Sequence, residues 1–333
     1  MTTLNFEGIF PIITTAVSFL FFLSVSEQYL RKRKLHQLVW AISMFLFMIT
    51  AGAEGLSLLL GRWDPFIYRI YYLLAAIQVS VMGAGALYLF ANRQIINEEN
   101  TGKALVLFGI IWTFFAFIFQ FRASIFLVVL VPALFMTLAG LYQILSIRRK
   151  GFENSFHLTG FQFTNLFVLF ILYIFAFMVY VGMTAELDLA YLVASGGQEV
   201  AGHGWINDLP GLRATIRLFS PLNTIPGGVA LIGGVFFSYY SWQRAIKKQT
   251  GSYNFGKGFF NIYIGGGALA LSIAGTLSGF GFGVLYLGEA VSVIIMYFGF
   301  LESDKITWQK LVNILTLGWL RNSESREVSV SPK

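Results

Sequence analysis

Residues 261–301 read NIYIGGGALALSIAGTLSGFGFGVLYLGEAVSVIIMYFGFL. Two apolar segments flank a glycine-rich turn, and Glu289 is the only ionisable carboxylate before the end of the stretch. Apolar runs of this length without two-residue alternation exclude a β-barrel and fit helices that cross a hydrocarbon core of ~30 Å. In lipid the backbone must satisfy its own hydrogen bonds, which an isolated helix does and an open strand does not.

The rest of the chain agrees. It has 333 residues, 56% of them hydrophobic and only 12% charged, with a mean hydropathy of +0.70. Soluble domains carry about a quarter charged residues. The fold class expected is therefore all-α, a polytopic integral membrane bundle. Spans are expected near Ile9–Leu23, Gln37–Leu60, Phe66–Ala91, Ala104–Phe119, Ala123–Leu145, Gly160–Met183 and Thr224–Ser241. The 261–301 hairpin makes nine, or eight if it is partly re-entrant.

The net charge of +7 comes mostly from short basic clusters between spans: residues 31–34, 148–150 and 244–248. With nine spans and the N-terminus outside, all three fall on the cytoplasmic side, as the positive-inside rule asks. Charge placed this way calls for a lipid bilayer as the partner and not for nucleic acid. Glu7 before the first run and RKRK after it reverse the order of a cleaved signal peptide, so this run reads as an uncleaved span.

Residues 1–303 are read as a single transmembrane domain. Its longest polar interruption, 184–221, is an outer loop suited to cover that face, with a short interfacial helix expected near Leu187–Val193. Residues 304–320 place Trp308, Leu311, Leu315 and Trp319 at helical spacing, which suits a helix lying in the cytoplasmic interface. The polar tail 321–333 is expected to be disordered.

Two carboxylates fall within spans, Glu54 and Glu289, each about 10 Å below the outer interface at ~1.5 Å per residue. A charge in a span costs roughly 2.5–3.5 kcal/mol on insertion scales, so such groups face a cavity or a partner. His36, Ser43, Thr50 and Ser57 recur every seven residues, and Glu54 lies beside the last two. That stripe turns one helix face away from lipid. Arg69 is a candidate counter-ion, and Tyr286, Glu289 and Ser292 share a face on the last span. The bland reading of Glu54 is a buried contact that fixes helix packing.

Small residues at Gly265, Ala268, Ser272, Gly275 and Gly279 line one face, and Gly275-x-x-x-Gly279 and Gly279-x-x-x-Gly283 match the small-xxx-small packing pattern. The alternative is a helix unwound at Gly265–Gly267 to expose backbone to a ligand. Several chemistries have no support. There are no cysteines and only three histidines. His36 and His157 read as solvated interfacial groups, not haem ligands. His203 with Glu199 and Asp208 fits no established metal spacing, and no nucleophile elbow or phosphate loop appears. No cofactor is implied, and an enzyme is the less favoured class. Tryptophans 40, 63, 242, 308 and 319 with Tyr68 and Tyr240 fit interfacial belts.

The function expected is binding or translocation of a small solute or protons through an outward-facing polar site built on Glu54, Glu289, Arg69, Thr50, Ser57, Tyr286 and Ser292. The alternative is a non-catalytic subunit or sensor associated with other membrane subunits.

Overall fold

The computed structural model describes residues 8–92, 98–118, 123–149, 157–198, 202–207, 215–251, 259–279, 284–304 and 308–316. Of these, 89% are helical and none forms a strand. The helices are α1 (Ile9–Lys32), α2 (Leu35–Leu60), α3 (Pro65–Asn92), α4 (Glu98–Ile118), α5 (Ala123–Arg148), α6 (Gly160–Thr184), α7 (Leu189–Ala194), α8 (Thr215–Gly228), α9 (Gly234–Thr250), α10 (Phe259–Gly279), α11 (Leu285–Asp304) and α12 (Trp308–Leu315). Among the described residues eight helical segments are long and apolar enough to span a membrane, with 215–250 counted as one. Within α10 the apolar part is the shorter Ile262–Gly275, and the whole helix packs antiparallel along α11.

The punctuation is local chemistry. Gly61 ends α2 at φ 65°, a left-handed conformation that costs glycine no Cβ clash. Asp64 then caps α3, its Oδ1 accepting from the Phe66 and Ile67 amides at 2.9 and 3.1 Å, with Pro65 at the first helical position. Thr159 and Gln162 form a reciprocal capping box that starts α6. The helix α4 begins at Glu98, so part of the polar 92–103 stretch is helical rather than loop.

The most enclosed span is α3, with 72% of its apolar segment buried against 28% in α5. On one side of it α1, α2, α10 and α11 build a core around Phe21, Met44, Phe47, Val293 and Met296. On the other, α4, α5, α6 and α8 build a core around Trp112, Phe163, Phe167 and Ile174. The basic groups Arg31–Lys34, Arg148 and Arg149, and Lys247 with Lys248 gather at one end of the bundle, here the basic end. There Lys310 of α12 approaches Glu27 of α1 at 3.8 Å, and Ile314 is fully buried, which docks the amphipathic α12 on the bundle.

The seventh span differs most from expectation. It runs from Thr215 to Thr250, longer than Thr224–Ser241 at both ends, and it is interrupted by a π-turn at Val229–Gly233. One turn earlier, proline removes a backbone donor. Pro226 has no N–H for the Leu222 carbonyl, and Trp112 Nε1 donates to that oxygen at 3.0 Å instead. Ser80 Oγ donates to the neighbouring Asn223 carbonyl. Neighbouring helices thus satisfy what the break exposes. A Cβ on Gly227 would overlap the backbone of Ser80, and one on Gly83 the Gly227 carbonyl, so α3 and α8 meet backbone to backbone.

The small residues of α10 pack only in part by the expected face, where Gly265 and the buried Ala268 make contact and Gly275 does not. Gly267 lies against Ser292 and Met296 of α11, Gly265 against Val235 of α9, while Gly266 and Gly275 meet nothing within 4 Å. The helix is unbroken through Gly265–Gly267, so the unwound alternative is not adopted. Gly283, the Gln120–Arg122 connection, Glu199, Asp208 and the 321–333 tail lie outside the described residues.

Part of the 184–221 loop is an ordered cap on the other end, the capped end. Asp188 starts α7 by accepting from the Tyr191 amide at 2.9 Å. The Asp188 amide donates to Gly204 O and the Ile206 amide to Glu186 O, pinning the loop to itself. The loop then closes on Trp63, whose amide donates to Leu192 O at 3.0 Å and whose Nε1 donates to Gln198 O at 3.2 Å. Trp63 is therefore core, at 1% exposure, and not an interfacial belt residue. His36 is also buried, edge-on to Trp40 at 5.4 Å, which corrects its reading as a solvated group.

Candidate functional site

Glu54 on α2 is 1% exposed. It lies within interaction range of the Glu289 carboxyl on α11 and of the Tyr71 side chain on α3. Side chains on a helix lean toward its N-terminus. Because α2 and α11 run in opposite directions, Glu54 leans toward the basic end and Glu289 toward the capped end, and the carboxyls converge. Contact is not the same as a good hydrogen bond. Both Glu54 oxygens and Glu289 Oε2 are buried with no well-aligned partner. Glu289 as a residue keeps some exposed surface, whereas Glu54 keeps almost none.

The shared neighbour is α1, which packs on both α2 and α11. Its register on α2 is set by close approach, with Gly52 facing Thr15 and Gly55 facing Pro11 and Ile12. Its register on α11 is tied by Ser24 Oγ to Tyr297 OH at 3.0 Å and by the Phe21–Tyr297 ring contact at 5.2 Å. The buried face between these ties carries Thr14 and Ser18, one turn apart and both fully buried.

Hydroxyls in membrane helices normally bond back to the carbonyl four residues earlier. Thr15, Ser24, Thr137, Thr164, Thr224, Ser272 and Ser292 do so. Thr14, Ser18 and Ser57 do not, and with Thr113 on α4 they are the buried hydroxyls without a partner among the described residues. One of those four, Ser57, lies on α2 with Glu54, and two, Thr14 and Ser18, lie on α1, the helix packed against both α2 and α11. An unsatisfied buried polar group is costly, so these hydroxyls are left without the compensation that back-bonding gives the others.

The remaining expected residues divide. Thr50, one turn from Glu54, places its Oγ 2.9 Å from the Phe47 carbonyl and 3.1 Å from Gln78 Oε1. Ser292 is fully buried and donates to Gly288 O at 2.5 Å, within its own helix. Tyr286 is buried three residues from Glu289. Arg69 is not the counter-ion. Its Nη1 donates to the Gly182 carbonyl, satisfying the end of α6, and its guanidinium sits 5.4 Å from the Trp205 ring. No lysine, arginine or histidine forms an ion pair with either carboxyl among the described residues.

Tyr71, Thr14 and Ser18 were not expected at the site. Tyr71 reads from sequence as one of an aromatic group at a helix end, yet it links the cap to the pair, its ring 4.9 Å from Trp63. A polar seam continues toward the basic end: Ser43 Oγ donates to Gln78 O at 2.9 Å, and Gln37 Nε2 to Gln28 Oε1 at 2.7 Å.

Chemically, two carboxyls in contact within apolar surroundings cannot both be anionic unless a positive charge joins them. At least one carboxyl then carries a proton, or a cation sits with the oxygens. The donors are all oxygen, which suits protons and hard cations rather than zinc or copper. No group of three or more His, Cys, Asp or Glu gathers among the described residues. Comparison with models of protein families, with curated proteins and with solved structures finds no match.

Proposed function

We propose that this multi-pass membrane protein binds protons, or a small cation in their place, at the Glu54–Glu289 pair and passes them across the bilayer. The observation that carries the reading is the approach of two carboxyls that no cationic side chain neutralises among the described residues. Three unpartnered hydroxyls, Thr14, Ser18 and Ser57, supply further oxygen ligands or anchor water around it. Both carboxyls are buried, so the charge is held at the pair and exchange needs water or a polar path to reach it. The seam through Thr50, Gln78 and Ser43 gives the exchange a polar direction toward the basic end, which the charge distribution puts on the cytoplasmic side.

The test is reconstitution into liposomes that enclose a pH-sensitive dye, with an imposed potassium diffusion potential. Wild-type protein collapses the proton gradient faster than protein-free liposomes, and Glu54→Gln and Glu289→Gln each lower that rate at least about tenfold, equivalent to ~1.4 kcal/mol on the barrier. Adding sodium outside separates proton from cation carriage, because a competing cation slows the proton signal only if it shares the site. Wild-type rates equal to empty liposomes in every salt, or folded variants at the wild-type rate, overturn the proposal.

A further inference from the structure

On the far side of α3 from the carboxyl pair, α5 and α6 are joined at the basic end and held apart elsewhere. The joint is a polar clasp. Gln143 Nε2 donates to Leu158 O at 2.9 Å while the Leu158 amide donates to Gln143 Oε1 at 3.0 Å. Ser146 Oγ and His157 Nε2 add a contact of 2.8 Å beside it. Beyond the clasp α5 packs along α4, not α6. The space left is a cleft of about 360 Å³. Pro132, Met136 and Ala139 form one wall, Leu166 and Phe170 the other, and the fully buried Leu105 lies at its base.

We propose that this cleft holds one acyl chain of an anionic phospholipid from the leaflet at the basic end. Four observations choose that occupant. The lining is apolar, without a charged side chain, so a polar solute finds no partner there. The lips are Phe135 and Leu169, 67% and 62% exposed, so the opening faces sideways into hydrocarbon. From Leu158, just before α6, the cleft follows the helix to Tyr173, a rise of ~20 Å from Gly160 at ~1.5 Å per residue, which passes the midplane of a ~30 Å core from the basic end. At that same end the exposed Arg149, and Arg148, which is 65% exposed and only loosely paired with Glu99 at 3.5 Å, supply positive charge suited to a lipid phosphate. Helix contacts in lipid rest on van der Waals packing, so two helices splayed this far apart need a filler of fixed shape.

The filler is distinct from the fluid lipid around the bundle in one measurable respect, which is slow exchange. Purified full-length protein is mixed with dioleoylphosphatidylglycerol or dioleoylphosphatidylcholine in mild detergent and followed by native mass spectrometry. Wild type retains one phosphatidylglycerol through detergent exchange and at least about tenfold less phosphatidylcholine. Ala139→Phe, which fills the cleft, loses the bound lipid, and Leu169→Phe at the exposed lip is a second filler that leaves the buried walls alone. Arg148→Gln with Arg149→Gln reduces the preference for phosphatidylglycerol toward parity while keeping chain occupancy. Thermal unfolding confirms that each variant is folded. Equal retention by wild type and both fillers, no retention by wild type, or an uncharged polyisoprenoid found in place of phospholipid each overturns the assignment.

Discussion

The two sides of α3 treat polar groups in opposite ways. In the α4–α5–α6 half most polar side chains are used up locally: Thr137 and Thr164 bond back to their own helices, and Gln143 spends both ends of its amide on Leu158 and Glu98. In the α1–α2–α11 half, two carboxyls lie within interaction range and three buried hydroxyls have no hydrogen-bond partner. The first half is polar only where polarity closes a gap. The second carries polarity that packing does not consume, and that difference is why the functional reading rests there. Thr113 is the exception in the first half, a buried hydroxyl without a bond.

The largest stability effect belongs to neither half but to the seam between α3 and α8. Gly227→Ala forces a Cβ into the Ser80 backbone and lowers stability by roughly 1–3 kcal/mol or more. Gly228→Ala, one residue on, meets nothing within 4 Å and leaves stability unchanged or raises it by up to about 1 kcal/mol. Thermal unfolding of the two variants in one detergent checks the contrast.

Next comes the clasp. Gln143→Leu strips partners from the Leu158 amide and carbonyl and the Glu98 carbonyl, and costs about 1–3 kcal/mol. Amide exchange at Leu158 rises with it, while proton flux is unaffected, because the clasp lies outside the carboxyl half. A clasp variant that stops flux erases the division between the halves.

The smallest stability effect and the sharpest functional one coincide at Thr14. Thr14→Val replaces an unpartnered hydroxyl with a near-isosteric methyl, so stability stays within about 0.5 kcal/mol. Proton flux in liposomes falls. A matched loss of stability means instead that the hydroxyl serves packing.

Much of this was legible in the sequence, for a physical reason. Long apolar runs and a seven-residue polar stripe are one-dimensional records of depth and of helix face, so the bundle, α7, α12 and the buried face of Glu54 could all be read. What a stripe does not record is the neighbour. Arg69 had the right depth but faces the end of α6 and Trp205. Tyr71 read only as one of an aromatic group at the start of its span, because the cap that buries Trp63 beside it comes from residues far along the chain. Thr14 and Ser18 stand one turn apart in a run otherwise readable as lipid-facing. The seventh span was read too short because Pro221 and Asn223 interrupt its hydropathy at one end, although Ser80 bonds the Asn223 carbonyl there, and because residues 242–250 are polar at the other.

The account stands on Glu54 and Glu289 forming one site rather than two isolated acids. A double-mutant cycle on thermal stability, with Glu54→Gln, Glu289→Gln and the double variant, measures this directly. The account predicts that the two substitutions do not add, with a coupling on the order of 0.5–3 kcal/mol as for groups in contact. Additivity within about 0.5 kcal/mol contradicts it.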